Sequence, residues 1–340
     1  MTYFEEDIIS LSNYINSNDF KGSNVLITGA TGLIGSICVK AFLKADDVQV
    51  VALARSKEKV KEVFGNPSDK IQFFYQDITD SLPEGLNCDF IIHTANSTTS
   101  KFFITNPVEV IDSIYTGTKN ILDLALKCHA KGIVYLSSME VFGQTSSTNR
   151  IRESQLGYLD IQNVRSCYSE GKRLAELLCK SYAVEYNLPV RVARLAQTFG
   201  AGVSKYENRV FAQFVRSALK GENIVLHTKG QTVGNYCYTA DAVRAIILLL
   251  KYGDNGDVYT VVNEETTRTI SELAQLVVDN FSEGKSSLAY DIPKGNEYGY
   301  APETQMHLSG EKLRCLGWEP KVPLKEMFIR MIPSLVDELY

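Results

Sequence analysis

The stretch Thr28-Gly-Ala-Thr-Gly-Leu-Ile-Gly35 lies between the apolar run 25–27 and a helical pattern over about 33–44. In such a turn the first glycine permits the tight reversal, the second lets the backbone approach a pyrophosphate, and the third lets the helix pack on the strand. The N-terminus of the following helix offers free N–H groups and a positive dipole end to phosphates. A glycine pattern alone could be a simple tight turn, but strand, turn and helix in this order predict a dinucleotide-binding site.

Outward from this turn, continuous apolar strands alternate with helical stretches as far as about residue 195. Strands without polar alternation are typical of a parallel sheet that is covered by helices on both faces. The sequence therefore predicts an α/β fold with a doubly wound parallel sheet of the Rossmann type. The predicted strands are Val25–Ile27, Val48–Leu53, Ile71–Tyr75, Phe90–His93 and Ile133–Ser137, and the clearest helix is Pro107–Cys128.

The alternation weakens after residue 195, which predicts a smaller, discontinuous C-terminal α/β lobe. Residues 200–202 and 228–236 are expected to be loops. Helices are expected at about 240–251 and 269–281, the second opening with the capping-box pattern Thr269-x-x-Glu272. We expect an N-terminal amphipathic helix over 1–23, a dinucleotide-binding domain of 24–197 plus about 236–262, and a substrate lobe of about 198–235 plus 263–340.

Composition excludes several classes of function. The net charge is −5 with both signs mixed along the chain, so no basic stripe predicts a nucleic-acid partner. Seven scattered cysteines without a CxxC pair predict reduced thiols and a cytoplasmic protein. The four histidines have no ligand spacing, so no metal site is expected, and no apolar stretch is long enough to cross a membrane.

The end of the second strand bears on the choice of cofactor. NAD enzymes commonly place a carboxylate there to bind the ribose 2′-hydroxyl, but this chain reads Ala52-Leu-Ala-Arg-Ser-Lys57. Arg55 could pair with a 2′-phosphate, which favours NADP(H) over NAD(H), or it could simply face solvent. Asp77 after the third strand could bond the adenine amino group or cap the segment that follows.

A second group of residues predicts acid–base chemistry. Tyr168 and Lys172 are four residues apart at the start of a long helical stretch, so their side chains share one helix face. The lysine charge is expected to lower the pKa of the phenol so that it can exchange protons near neutral pH. Ser138 ends the fifth strand, where the carboxyl ends of strands line the ligand crevice. Each residue alone could be a surface or turn residue, but their joint order favours a catalytic site.

With these motifs the chain resembles the extended short-chain dehydrogenase/reductases, specifically the NAD-dependent epimerase/dehydratase family that acts on nucleotide sugars. The likeness runs from residue 24 to the ending Leu316-Gly-Trp-Glu-Pro320. It implies that Tyr168 is the catalytic base, that Lys172 is its partner and a ribose ligand, and that Ser138 is the third member. It further implies a nucleotide-sugar substrate bound in the C-terminal lobe, and we expect a homodimer.

The resemblance also gives two sets of binding residues. The predicted cofactor-binding residues are Gly29, Thr31, Gly32, Leu33, Ile34, Gly35, Arg55, Asp77, Ile78, Ala95, Tyr168 and Lys172. The predicted substrate-binding residues are Ser138, Gln197, Arg209, Val210 and His227.

Within this family, the sequence is most similar to bacterial UDP-glucuronate decarboxylases. The likeness rests on Arg165–Glu176, on the segment that begins at Arg209, and on Glu140, a candidate acid or base whose alternative is a satisfied polar residue. Three positions depart from the family: Met139 replaces the aspartate of the dehydratases, Gly234 stands where relatives carry a phosphate-binding arginine, and Gln197 replaces an asparagine.

Several reactions therefore stay open. All begin with oxidation at C4 of the sugar, after which a C5 carboxylate can be lost or the ketone can be reduced from its other face. The sequence favours 4-epimerisation, because it needs only Ser138, Tyr168 and Lys172 and tolerates Gly234. UDP-glucuronate decarboxylation or a related dehydration is the alternative. A catalytically silent dinucleotide sensor is the alternative from another class.

Overall fold

The computed structural model describes residues 1–66, 68–96, 99–145, 149–293 and 303–335. The strands are β1 Ser23–Thr28, β2 Val48–Ala54, β3 Ile71–Tyr75, β4 Phe90–His93, β5 Gly132–Ser138, β6 Val190–Leu195, β7 Gln197–Phe199, β8 Ile224–Leu226, β9 Val233–Tyr238, β10 Val258–Val261, β11 Asn263–Thr269 and β12 Leu288–Tyr290. The helices are α1 Tyr3–Ser17, α2 Leu33–Lys44, α3 Lys57–Phe64, α4 Ser100–Thr105, α5 Pro107–Lys127, α6 Ser166–Tyr186, α7 Val210–Lys220, α8 Thr239–Tyr252, α9 Ile270–Phe281, α10 Glu311–Arg314 and α11 Leu324–Leu335.

Seven strands form one parallel sheet in the order β10-β6-β5-β4-β1-β2-β3. The chain winds outward from β1 in one direction through β2 and β3, and in the other through β4 and β5. The reversal falls between β1 and β4, and ligands of doubly wound sheets bind outside the carboxyl ends of the strands at such a point. The predicted Rossmann-type α/β fold is confirmed.

The two faces of the sheet are covered by different helices. Neighbouring strand residues point to opposite faces, so Leu26 packs in a cluster with α5 and α6 whereas Ile27 packs in a cluster with α1, α2 and α8. Both side chains are buried. A strand that is buried on both faces cannot alternate polar and apolar residues, which explains the continuous apolar runs of the sequence.

The smaller lobe contains a sheet of order β11-β9-β7 and the pair β12-β8, packed with α7, α9 and α11 around a third cluster of buried residues. Here one prediction was wrong: 228–236 is not all loop, because Val233 to Tyr238 form β9. Gly234 and Asn235 resemble turn residues, but every residue of β9 is buried. The amide of Asn235 is satisfied by Met306 and Leu308, so the polar residue is tolerated inside the protein.

The N-terminal helix is shorter than predicted, because it ends at Ser17 and Ser23 already begins β1. It starts with a capping box on Thr2, and the predicted capping box at Thr269 is also present. Of the predicted lobe, 294–302 and 336–340 lie outside the described residues. No helix within the described ranges is both long and apolar enough to span a membrane.

Candidate active site

The glycine-rich turn connects β1 to α2 at the switch point of the sheet. Gly29 has φ of +63°, and a Cβ on it would lie 2.6 Å from Thr94 Oγ1. A Cβ on Gly35 would lie 2.2 Å from the Gly29 carbonyl oxygen, which is closer than any real contact. Gly32 is the N-cap of α2 and makes no side-chain capping bond, so the first N–H groups of Leu33 and Ile34 are not covered by a cap. The turn is therefore shaped to accept a phosphate at the helix N-terminus.

The far side of the predicted cofactor site lies at the ends of β2 and β3. Arg55 extends into solvent with 79% of its side chain exposed, and its Nη1 lies 3.8 Å from Asp77 Oδ2. The other oxygen of Asp77 accepts bonds from the Thr79 N–H and hydroxyl, as in a side-chain-stabilised turn. This contact supports the capping alternative for Asp77. Ile78 beside it is buried, and the Ala95 N–H donates to Thr28 Oγ1 at 3.1 Å.

Ser138, Tyr168 and Lys172 are brought together by β5 and the first turns of α6. The Ser138 hydroxyl lies close enough to the Tyr168 phenol to lower its pKa, and the phenol side chain is 6% exposed. Lys172 is buried on the same side of the helix, where Nζ donates to the Leu136 carbonyl at 2.7 Å and lies 5.8 Å from the centre of the Tyr168 ring. A phenol, a hydroxyl and an amine in this arrangement can move one proton from a substrate hydroxyl.

The electrostatics of the phenol differ from the prediction that Lys172 lowers its pKa. Burial raises the pKa of Tyr168 above its usual value, the Glu140 charge raises it further, and the bond from Ser138 together with Arg165 lowers it. Burial lowers the pKa of Lys172 to about 7, with Glu176 opposing that shift. Because Lys172 is itself desolvated, its charge is weakened near neutral pH and does not offset the burial of the phenol.

Glu140 is paired, and its partner was not predicted. The guanidinium of Arg165 donates to both carboxylate oxygens at 2.8 and 3.2 Å, and Ser169 Oγ donates to Oε2 at 3.3 Å. Arg165 also lies over the Phe103 ring, which stacks on Tyr168 with centroids 4.3 Å apart. The three-residue spacing places Arg165 and Tyr168 on one side of the start of α6, but no spacing in the sequence relates Arg165 to Glu140.

A buried network of hydrogen bonds links α6, which carries Tyr168 and Lys172, to strands β5 and β6. Arg194 on β6 bonds both oxygens of Glu176 on α6, and Ser137 Oγ donates to the same carboxylate. The side chains of the pair are only 5% and 8% exposed. This pair was not predicted, because one residue lies on a helix and the other on a strand 18 residues later.

The predicted substrate residues other than Ser138 lie apart from this network, in or near the smaller lobe. Gln197 begins β7 opposite Tyr236 and is half-buried. Arg209 and Val210 start α7, where the Arg209 guanidinium bonds Glu207 at 2.7 Å. His227 follows β8, and its Nδ1 lies 2.9 Å from the Asp291 carbonyl oxygen. Gly234 pairs with Arg268 of β11.

The fold and the site define a nucleotide-cofactor enzyme of the extended short-chain dehydrogenase/reductase type, in which a tyrosine, a lysine and a serine meet at the ends of parallel strands. More particularly, the chain belongs to the NAD-dependent epimerase/dehydratase family, whose sequence profile matches residues 25–263. The predicted family and the prediction of an enzyme are thereby confirmed, and a silent dinucleotide sensor is not supported.

Three known proteins illustrate the likeness. The chain is 31% identical over 318 residues to UDP-glucuronic acid decarboxylase 3 of Arabidopsis thaliana, covering 89% of this chain and 86% of the relative. The solved UDP-glucose 4-epimerase of Thermotoga maritima matches with a TM-score of 0.78 and 23% identity, covering 93% of this chain and all of that one. A dTDP-glucose 4,6-dehydratase of Streptomyces venezuelae, solved with NAD bound, matches with a TM-score of 0.74 and 24% identity, covering 92% and 96% of the two chains. The solved structures show the shared fold.

Proposed function

We propose that the protein decarboxylates a nucleotide-linked uronate, with UDP-glucuronate as the first candidate substrate. The likeness to a UDP-glucuronic acid decarboxylase over most of both chains supports this reaction. The observation in the site that favours it is the ion pair of Glu140 with Arg165. The pair brings a guanidinium, the group best shaped to bind a carboxylate, to the edge of the group formed by Ser138, Tyr168 and Lys172.

In this proposal, residues of the chain remove one proton from the sugar, and the sugar then loses its C5 carboxylate. Tyr168, in its phenolate form, accepts the proton of the C4 hydroxyl, and Ser138 would hold the same oxygen by a hydrogen bond. The C4 ketone that results makes the C5 carboxylate a β-keto acid. The C5–C6 bond then breaks, carbon dioxide leaves, and the electron pair is held as an enolate until C5 takes a proton. Reduction of the ketone returns the cofactor to its starting state.

The residues present fit a nicotinamide dinucleotide. The clearance at Gly29 and Gly35 and the uncapped start of α2 suit a pyrophosphate, and Lys172 would bind the nicotinamide ribose. When bound, the cofactor supplies the hydride acceptor for C4. The other proposed contacts are Thr31, Gly32, Leu33, Ile34, Arg55, Asp77, Ile78, Ala95 and Tyr168.

The exposed guanidinium at the end of β2 supports a preference for NADP(H) within this NAD-dependent family. Arg55 is free to receive a 2′-phosphate because its nearest carboxylate, on Asp77, lies 3.8 Å away and is itself partly solvated. We expect Arg55→Ala to weaken NADP(H) binding by roughly 1.5–3 kcal/mol and to leave NAD(H) binding unchanged, as measured by fluorescence titration. Tighter binding of NAD(H) than of NADP(H) by the wild-type protein would refute the preference.

The second candidate reaction is 4-epimerisation of a UDP-hexose. Gly234 favours it, because β9 offers no guanidinium at this position to grip a diphosphate and a carboxylate together. An epimerase needs only Ser138, Tyr168 and Lys172 together with space for the ketone to rotate. The two reactions differ in their products, since only decarboxylation shortens the sugar by one carbon.

One experiment separates the two candidates. The purified protein is incubated with UDP-glucuronate and, separately, with UDP-glucose, each with NAD(H) or NADP(H), and the products are identified by chromatography and mass spectrometry. The proposal expects carbon dioxide and a UDP-pentose from the uronate, with no net use of cofactor, and no change in UDP-glucose. Conversion of UDP-glucose to its 4-epimer without loss of carbon from the uronate would promote the second candidate.

We further propose that the lobe of about 198–235 plus 263–340 holds the nucleotide sugar through Arg209, Val210 and His227, and that Ser138 and Gln197 bind it from the dinucleotide-binding domain. The boundary at 235 falls inside β9, so this strand joins the two parts of the chain.

A homodimer is proposed from the outer surface of α5 and α6, which pack against each other. Apolar side chains stay exposed on both helices: Val108, Ile111, Tyr115, Leu174, Leu177 and Val184. Apolar residues clustered at helical spacing are a feature of interfaces. Light scattering is expected to give the mass of two chains, and Leu177→Glu is expected to give the mass of one.

The unpaired state of all seven cysteines supports a cytoplasmic location.

A further inference from the structure

The Arg165–Glu140 pair stands at the edge of the catalytic group. Its guanidinium lies over the Phe103 ring, 5.7 Å from the ring centroid, and the Phe103 ring is nearly parallel to the Tyr168 ring. Glu140 is fixed from the other direction, because its N–H donates to Ser138 Oγ at 3.2 Å. The ion pair is thus next to both residues that we assign to the C4 hydroxyl.

This pair differs from the other arginine contacts of the same helix and of the neighbouring strand. The side chains of Arg165 and Glu140 are 31% and 28% exposed, whereas Arg194 and Glu176 are nearly excluded from solvent. Arg173 is held by two backbone carbonyls as well as by Glu170. Among the described residues, Arg165 therefore has a single carboxylate partner, in a position that a ligand can reach.

A partly solvated ion pair costs little to exchange, since water already screens the attraction between its charges. The planar guanidinium fork matches any carboxylate, whichever molecule carries it. Ser169 Oγ, at 3.3 Å from Glu140 Oε2, offers the displaced glutamate a remaining bond.

We propose that Arg165 is the specificity-determining residue that recognises the C5 carboxylate of the sugar, exchanging Glu140 for the substrate when a uronate binds. This inference rests on the proposed function and deepens it. A neutral hexose has no carboxylate to offer and leaves the Glu140 pair intact. The exchange also frees Glu140 beside C5, where the later proton is needed. The site thereby selects a carboxylated sugar over its neutral counterpart.

The test compares two ligands that differ only at C6. UDP-glucuronate and UDP-glucose are titrated calorimetrically into protein saturated with reduced cofactor, so that the sugar is not oxidised. The wild-type protein is expected to bind UDP-glucuronate more tightly. Arg165→Met is expected to weaken UDP-glucuronate by about 10- to 100-fold and to leave UDP-glucose within about 2-fold. Arg165→Lys is expected to recover part of the loss.

Arg152→Met serves as the matched control, because it removes a guanidinium from an exposed ion pair with Glu311. It is expected to change neither affinity. Equal weakening of both ligands by Arg165→Met, or no weakening of either, would overturn the inference. If that variant does not fold, Glu140→Gln decides, because release of Arg165 should keep or raise the affinity for UDP-glucuronate, and a loss of affinity for that ligand alone would contradict the exchange.

The outcome is independent of the reaction itself. If binding of UDP-glucuronate depends on Arg165 but no carbon dioxide is released, the inference holds and the proposed decarboxylation fails. If carbon dioxide is released while Arg165→Met binds both ligands as the wild type does, the proposed function holds and Arg165 has no part in recognition.

Discussion

The buried ion pair next to the catalytic helix and the ion pair at the start of α7 in the smaller lobe differ in burial and in hydrogen bonding. Beneath the tyrosine, Arg194 and Glu176 are paired by three hydrogen bonds and shielded from water. In the lobe, Arg209 binds Glu207 two residues away and keeps 40% of its side chain exposed. We infer that Arg194 and Glu176 form a fixed frame that holds α6 and its catalytic residues in place. The groups proposed to bind the substrate can still change partners on binding. Mutations should therefore act differently in the two regions.

The largest expected effect is the loss of turnover when the Tyr168 phenol is removed. Tyr168→Phe removes the phenol oxygen but keeps the ring that stacks on Phe103. We expect turnover to fall by about 100- to 10,000-fold, the range for a general acid–base group, with cofactor affinity nearly unchanged.

Tyr135→Phe is the matched control for this substitution. Its hydroxyl is buried without a hydrogen-bond partner among the described residues, and its ring lies beside Lys172. Steady-state kinetics should show near-normal turnover for it. Near-normal turnover of Tyr168→Phe instead would place the chemistry elsewhere.

The next effect is on stability. Glu176→Gln leaves Arg194 charged and buried without its carboxylate, which is expected to lower the free energy of unfolding by about 3–5 kcal/mol. Glu311→Gln removes the carboxylate from an exposed pair with Arg152, and its cost should stay below about 1 kcal/mol. Urea denaturation of both variants measures the difference. Equal losses would mean that the buried pair does not hold the frame.

These two regions also differ in how far the sequence predicts them. The helix at Leu33–Lys44 and the strands Ile71–Tyr75 and Phe90–His93 begin and end where their apolar runs predict. Ser138, Tyr168 and Lys172 meet as expected, because local spacing and strand ends determine their positions. The partner of Glu140 and the buried strand at Gly234 were missed, since a contact across 25 residues and a glycine inside a strand leave no periodic signal.

A smaller effect is expected on substrate binding by the smaller lobe. Arg209→Ala should raise the KM for the nucleotide sugar by about tenfold through loss of one charge-assisted contact, while kcat stays near the wild-type value. A fall in kcat with unchanged KM would move Arg209 from binding to the fixed frame. Lys220→Ala, at the opposite end of the same helix, is the control and should change neither constant.

The last effect is on the pH dependence of stability, at the contact of α1 with the lobe. Burial raises the pKa of Asp7 to about 6, although its bonds with Tyr238 and Arg330 oppose the shift. Because the native state holds this proton more tightly than the unfolded chain, the contribution is present at low pH and is lost as pH rises from 3.8 to about 6. In Asp7→Asn the free energy of unfolding should lose that downward slope. An unchanged slope would exclude Asp7 as its source.

Solvent isotope labelling tests the central claim most directly. UDP-glucuronate and cofactor are incubated with the wild-type protein in heavy water, and the product is analysed by NMR. Decarboxylation places one solvent deuteron at C5 of a UDP-pentose, because C5 takes its proton after carbon dioxide has left. A UDP-linked sugar that keeps six carbons, with an inverted C4 and no deuterium at C5, would contradict the account.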